Sequence, residues 1–360
     1  MTAAQAPHQA GPDQAAGESL VAGVDVLLLD LDGTVYRGGA AILGSAEALR
    51  ACSERGIRSV YITNNASRYP AVIAEQLRAI GIPADARDVV TSAQAGARLL
   101  ATRVPAGTAT LVVGSRHLAD EIAAAGLTPV ATDVGIDELR AVGAVIQGFD
   151  PELGWRELAA AAYALAGGAT WVATNTDMTV PTADGIAPGS GSLVAAVAAA
   201  AGRRPEVAGK PAAALVERAI EVTGARSPLL VGDRLDTDIE AGARAGIPTL
   251  LVLTGVSGPA DLVAAPPTSR PDQLATDLTG LLAPPMTVDR VDAANWRCGG
   301  WSVCVDSDAN SNGVSVDGGG DRVAGLWALA HAAWTVADAG HAASGLPAAL
   351  DRLGWAGTSS

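Results

Sequence analysis

Lysine is almost missing from this 360-residue chain: it occurs once, at Lys210, against 23 arginines. Positive charge is scarce as a whole, with 24 Lys and Arg facing 38 Asp and Glu for a net charge of −14. A surface of that sign repels polyanions, and no run of basic residues marks a groove for a phosphate backbone, so nucleic acid is not expected as a partner. Aromatic residues are only 3% of the chain, so the 49% hydrophobic share is mostly alanine, valine and leucine. Such a composition suits helices laid on a sheet. Three cysteines are an odd number, which argues against a disulfide framework and for a reducing, cytoplasmic setting. Cys298 and Cys304 have no second pair and no histidine at zinc-ligand spacing. No apolar run approaches the roughly 18 residues needed to cross a bilayer, so no membrane span is expected. Residues 1–20 carry no basic-then-apolar signal and read as a disordered tail.

What the chain does contain, from residue 24 on, is an alternation of short β-branched runs with longer Ala-rich helical patterns. That is the mark of βαβ units on a parallel sheet, and it predicts a doubly wound, Rossmann-like α/β core. Core strands are expected at 24–29, 59–62, 229–231 and 249–253, each ending in polar residues. In open α/β sheets ligands bind beyond the carboxyl ends of the strands. A second set of strands, near 111–113, 144–146 and 171–173, with a helix at 155–166, reads as an inserted α/β domain over 92–188. The core is then discontinuous, 21–91 and 189–265. The proline-rich 266–287 reads as a linker, and 288–360, which holds five of the seven tryptophans, as a small α+β module. In that module 306–321 is expected as a turn region and 323–337 as a helix.

Four constellations carry chemistry. In Asp30-Leu31-Asp32-Gly33-Thr34 an apolar strand delivers two carboxylates that alternation sends to one side. Such a pair divides labour, one as nucleophile or metal ligand and one as acid and base; a solvated turn is the plainer alternative. In Thr63-Asn64-Asn65 the strand end offers hydroxyl, amide and N–H donors to phosphoryl oxygens, or merely caps a helix. Lys210, in Gly209-Lys210-Pro211, is the one position spared by the bias toward arginine. A compact ammonium fits between a carboxylate and a phosphoryl oxygen where a guanidinium fork is too broad. In Gly232-Asp233-Arg234-Leu235-Asp236-Thr237-Asp238 a strand is followed by three carboxylates of the kind that suit Mg²⁺. Asp236 and Asp238 also qualify as helix caps, and for Asp236 a capping or surface role is preferred.

Taken together in this order, the motifs DxDGT, TNN, GKP and GDxxxxD resemble those of the haloacid dehalogenase superfamily of phosphatases, over residues 22–260. The long insertion, with Gln147-Gly148-Phe149-Asp150, Thr174-Asn175-Thr176-Asp177 and Gly189-Ser190-Gly191, is similar to the cap of the subgroup holding 4-nitrophenylphosphatase-like, phosphoglycolate and nucleotide monophosphatases. The whole layout resembles actinobacterial glycerol 3-phosphate phosphatases, which carry a C-terminal region likened to an acetyltransferase. Here that region is too short for a complete acetyltransferase and shows only a partial pyrophosphate loop, so it is expected to be structural or regulatory. The resemblance implies Asp30 as nucleophile, Asp32 as general acid and base, and Mg²⁺ held by Asp30, the Asp32 carbonyl and Asp233. It implies a phosphoryl site of Gly33, Thr63, Asn64 and Lys210, with Asp238 supporting Lys210 or a metal-bound water. Substrate choice is expected in the cap, at Thr174, Asn175, Asp177 and the loop around Pro181, with Trp171 in the core. The implied activity is hydrolysis of a small phosphomonoester, glycerol 3-phosphate first, with phosphoglycolate, pyridoxal phosphate or a nucleotide as alternatives. A phosphate-ligand sensor is the non-enzymatic alternative. Self-association is left open.

Overall fold

The computed structural model describes residues 18–182, 184–308 and 311–355, so most of the expected N-terminal tail lies outside the described residues. Six parallel strands form the central sheet in the order Gln273–Ala275, Thr249–Val252, Pro228–Gly232, Val26–Leu29, Arg58–Thr63, Val89–Thr91. Val26–Leu29 lies in the middle, paired with Arg58–Thr63 on one side and Pro228–Gly232 on the other. All four of its residues are buried, as a strand covered by helices on both faces requires. Leu27 and Leu29 face one apolar cluster and Leu28 the other. The residues that follow these three strands, Asp30, Asn64 and Asp233, therefore emerge together at one sheet edge.

A second parallel sheet covers that edge, in the order Glu206–Val207, Thr170–Ala173, Ala144–Gln147, Ala109–Val113, Thr128–Val130. It extends past residue 188, where the sequence pattern places the domain boundary. Helix Ser190–Ala201 buries Val194 and Val197 against Ala160, Ala161 and Ala164 of helix Trp155–Ala166, and so packs with this sheet rather than with the core. The run from 193 to 201 is mostly alanine, and its three larger residues, Leu193, Val194 and Val197, do not by themselves announce which sheet it covers. Trp171 is buried in the same cluster, as expected.

Residues 266–287 are not a linker. Gln273–Ala275 pairs in parallel with Thr249–Val252 as the outermost core strand, and Leu274, Leu278 and Leu281 are buried. The prolines flank the strand instead of marking a mobile span. The C-terminal module forms a sheet of five strands, Asp289–Arg290, Asn295–Cys298, Trp301–Asp308, Ser311–Gly318 and Ala343–Ser344, packed by helix Arg322–Asp338. Much of the expected turn region is thus strand, because Val303, Val305 and Val314 point inward while Ser302, Asp306 and Ser315 beside them are exposed. Cys298 and Cys304 are both free, as is Cys52.

The module is docked on the core through one apolar cluster joining Leu251, Leu262 and Leu274 to Trp327 and Trp334. The Trp334 indole N–H donates to the Leu262 carbonyl at 2.9 Å, and Arg270 holds Asp338 with two bonds of 2.7 and 2.8 Å. Removing a buried indole at this joint leaves a cavity and an orphaned carbonyl. Trp334→Ala is expected to cost about 3–5 kcal/mol, read as a lower urea midpoint of unfolding.

Candidate active site

Asp30 follows the central strand, and its backbone N–H is tied to Val231 across the sheet at 2.9 Å. Its carboxylate accepts a hydrogen bond from the Lys210 ammonium, which also lies 2.7 Å from Asp238 Oδ1. Lys210 is only 3% exposed and arrives on the loop that leaves strand Glu206–Val207. Asn64 fixes that loop: its Oδ1 accepts from the Lys210 N–H at 2.8 Å and its Nδ2 donates to the Lys210 carbonyl at 3.1 Å. Gly209 makes the approach possible, since a Cβ there would stand 2.6 Å from both Asn64 Oδ1 and the Thr174 carbonyl.

Asp233 is fully buried on the other side of Asp30. Thr34 Oγ1 donates to one of its oxygens at 3.3 Å and the Val256 N–H to the other at 2.7 Å. One oxygen from each of Asp30, Asp233 and Asp238 falls within 4.8 Å of the other two. Asp32 stays exposed at the cavity mouth.

The charges explain one another. Burial pushes the Asp30 carboxyl up to about 8, with Lys210 pulling it down and Asp238 and Asp233 pushing it further up. Asp233 is raised to about 6, again by burial first and then by Asp238, against the Val256 N–H. Burial on its own lowers Lys210, but Asp238 and Asp30 outweigh it and the ammonium is held above its ordinary range. Two carboxylates share one ammonium and a third, Asp233, stands beside them, which leaves negative charge uncompensated in a buried place. A hard divalent cation with oxygen ligands fits that donor set.

Asp30, Lys210 and Asp238 line a cavity of about 320 Å³ together with Asp32, Tyr36, Thr63, Asn64, Ser67, Phe149, Asn175, Asp177, Pro181, Ser190 and Arg234, while Asp233 lies buried behind them. Haloacid dehalogenase-like hydrolase is the description of a family model that matches residues 27–128, and a related hydrolase model matches 207–281. A D-glycerol 3-phosphate phosphatase of Mycobacterium tuberculosis is 43% identical over 290 residues, which cover 79% of this chain and 80% of that one. The chain belongs to the haloacid dehalogenase-like hydrolases. A glycerol-3-phosphate phosphatase of Gallus gallus is 40% identical over 66% of this chain and 82% of its own length. The crystal structure of a glycerol phosphate phosphatase from Mycobacterium tuberculosis in complex with magnesium superposes with a TM-score of 0.81 at 39% identity, covering 94% of this chain and 99% of that one. A GCN5-related N-acetyltransferase like domain model matches residues 298–355, the sheet-and-helix module.

Within this member of the family several expected site residues have other duties. Gly33 is no phosphoryl donor: its N–H is given to the Tyr36 carbonyl at 2.8 Å, and it does not line the cavity. Its φ of +87° and the 2.5 Å that would separate a Cβ from Asp233 Oδ2 make it a clearance for that carboxylate. The Asn64 side chain is spent on Lys210 and on Asp177, at 3.2 Å, so only its backbone is left for a ligand. Thr174 is fully buried behind the cavity wall, beside Gly96 and Gly148, and does not reach the cavity. Asn175 and Asp177 do line it. Asn175 Nδ2 donates to the Asn64 carbonyl at 2.7 Å, and burial raises the Asp177 carboxyl. Asp236 is exposed and paired with Arg234 at 2.9 Å, a surface role as preferred. Tyr36, Ser67, Ser190 and Arg234 were not singled out as site residues from the sequence, and Arg234 lay in plain view inside the fourth motif.

Proposed function

We propose that the chain is a Mg²⁺-dependent phosphatase that hydrolyses glycerol 3-phosphate through an aspartyl-phosphate on Asp30. The observation that carries this reading is the Lys210 ammonium held between Asp30 and Asp238 at the floor of a small, covered cavity. Asp30 attacks phosphorus, the bond to the alcohol oxygen breaks, and Asp32 gives its proton to the departing alkoxide. Asp32 then takes a proton from water, which attacks the same phosphorus and frees the Asp30 carboxylate. Lys210, the Thr63 hydroxyl and the Asn64 backbone hold the transferring phosphoryl group, and Asp238 keeps the ammonium in place. Asp30, the Asp32 carbonyl and Asp233 would hold Mg²⁺, which when bound supplies Lewis-acid neutralisation of phosphoryl charge. The second-sheet unit contributes Phe149, Asn175, Asp177 and Ser190 to the wall of the cavity that holds the reacting centre.

Glycerol 3-phosphate is favoured over larger esters by the cavity volume of about 320 Å³, near the lower end for small-molecule sites, and by the names of the relatives in Mycobacterium and chicken. The cysteines, all free, suit a cytoplasmic setting, and among the described residues no helix is long and apolar enough to cross a membrane. Phosphate release from glycerol 3-phosphate, phosphoglycolate, pyridoxal phosphate and a nucleoside monophosphate, with and without Mg²⁺, tests the assignment. The highest kcat/KM is expected for glycerol 3-phosphate, and only with metal; a nucleotide preferred tenfold would refute the substrate.

Metal binding carries a sign that follows from Asp233. Its carboxyl is raised to about 6 and that of Asp30 to about 8, so as the pH falls both take up protons that a cation must displace. Mg²⁺ is therefore expected to raise Tm more at pH 7.5 than at pH 5, a trend that thermal scans at matched ionic strength resolve.

A further inference from the structure

The phosphoryl end of the cavity is crowded with committed groups, but so is most of its far wall. Asp177 accepts from Asn64, and Asn175 gives its Nδ2 to the Asn64 carbonyl and takes the Asp177 N–H at 3.1 Å. Around them Phe149, Val180 and Pro181 present carbon. Ser190, the first residue of the twelve-residue helix Ser190–Ala201, is different. It lines the cavity and is 3% exposed, yet among the described residues its hydroxyl has no hydrogen-bond partner.

The start of the helix is not itself a binding cradle. The Gly189 N–H is given to the Met178 carbonyl at 2.9 Å, the Gly191 N–H to Asp177 at 2.8 Å and the Ser192 N–H to Gly189 at 3.1 Å. The Ser192 hydroxyl is bound to Met178 at 2.7 Å. These bonds lock the backbone around Ser190 and leave its hydroxyl over. An unpaired buried hydroxyl costs free energy unless something enters to pair it.

We propose that Ser190 is a specificity-determining residue that hydrogen-bonds a hydroxyl of the leaving alcohol, selecting phosphomonoesters of small polyols over those of simple alkanols. This rests on the phosphatase reading above. The alcohol's carbon chain lies along Phe149, Val180 and Pro181, while its free hydroxyl reaches Ser190. An ester without that hydroxyl leaves Ser190 buried and unpaired, which is the arrangement that rejects a deoxy analogue.

The test compares wild type, Ser190→Ala and Ser190→Thr on glycerol 3-phosphate, propyl phosphate and 4-nitrophenyl phosphate. Ser190→Ala should lose about tenfold in kcat/KM on glycerol 3-phosphate, chiefly through KM, and nothing on the other two esters. Ser190→Thr, which keeps the hydroxyl, should recover part of the loss. Unchanged propyl phosphate and 4-nitrophenyl phosphate rates also report an intact fold. An equal fall on all three esters means that the hydroxyl has a structural role, through a bound water for example, and overturns the proposal; so does no change on any. Wild type that hydrolyses 4-nitrophenyl phosphate but neither alcohol phosphate defeats the glycerol 3-phosphate assignment and this proposal with it.

Discussion

Asp30→Asn is expected to lower kcat by at least about 10⁴-fold while leaving the protein as stable as wild type or more so. The amide keeps the shape of the carboxylate and still accepts from Lys210, but it is not a nucleophile. Stability should not suffer, because burial and the neighbouring Asp233 and Asp238 already penalise the ionised form of Asp30. With its carboxyl raised to about 8, Asp30 is mostly protonated in the metal-free protein at neutral pH, so a neutral amide changes little there, and Lys210 retains Asp238 at 2.7 Å. Steady-state phosphate release together with a thermal scan separates this outcome from misfolding. A variant that keeps a tenth of wild-type kcat would show that another group attacks phosphorus.

Lys210→Met is expected to damage both activity and fold. The ammonium is 3% exposed and is the buried cation that compensates Asp30 and Asp238. Without it Asp30 and Asp238 lose the cation that both face in a largely buried place. Breaking a buried pair in this way costs about 3–5 kcal/mol, and loss of a preorganised positive charge on the phosphoryl group lowers kcat by about 10³-fold. Urea titration and single-turnover phosphate release measure the two effects. Lys210→Arg is not expected to rescue either, since Asn64 grips the backbone of Lys210 at 2.8 and 3.1 Å and leaves no room to retreat for a broad guanidinium. Full activity in Lys210→Arg would mean that a positive charge alone suffices.

Much of this site is legible in the sequence alone. The strands that carry Asp30, Thr63 and Asp233 are apolar runs that end abruptly in polar residues, a pattern set by burial on both sheet faces and therefore visible in one dimension. Lys210 was legible for a different reason, as the solitary lysine of an arginine-rich chain. The boundary of the second sheet was not legible, because it turns on a two-residue strand, Glu206–Val207, and on an alanine-rich helix that buries only Ser190, Gly191, Val194 and Val197. Gln273–Ala275 was hidden among prolines that look like a linker but only flank an edge strand. The duties of Asn64 and Gly33 depend on partners 146 and 200 positions away, Lys210 and Asp233, and no local pattern contains that information. Thr174 misled for a simpler reason: it neighbours Asn175, which does face the cavity, and alternation turns it away.

Covalent capture at Asp30 tests the central claim most directly. Enzyme mixed with radiolabelled glycerol 3-phosphate and Mg²⁺, quenched in acid within the first turnover and digested, should carry label on the peptide containing Asp30, and hydroxylamine should release it as an acyl phosphate requires. Asp30→Asn should carry none. Rapid turnover with no acid-stable label, or label retained in Asp30→Asn, would contradict the account.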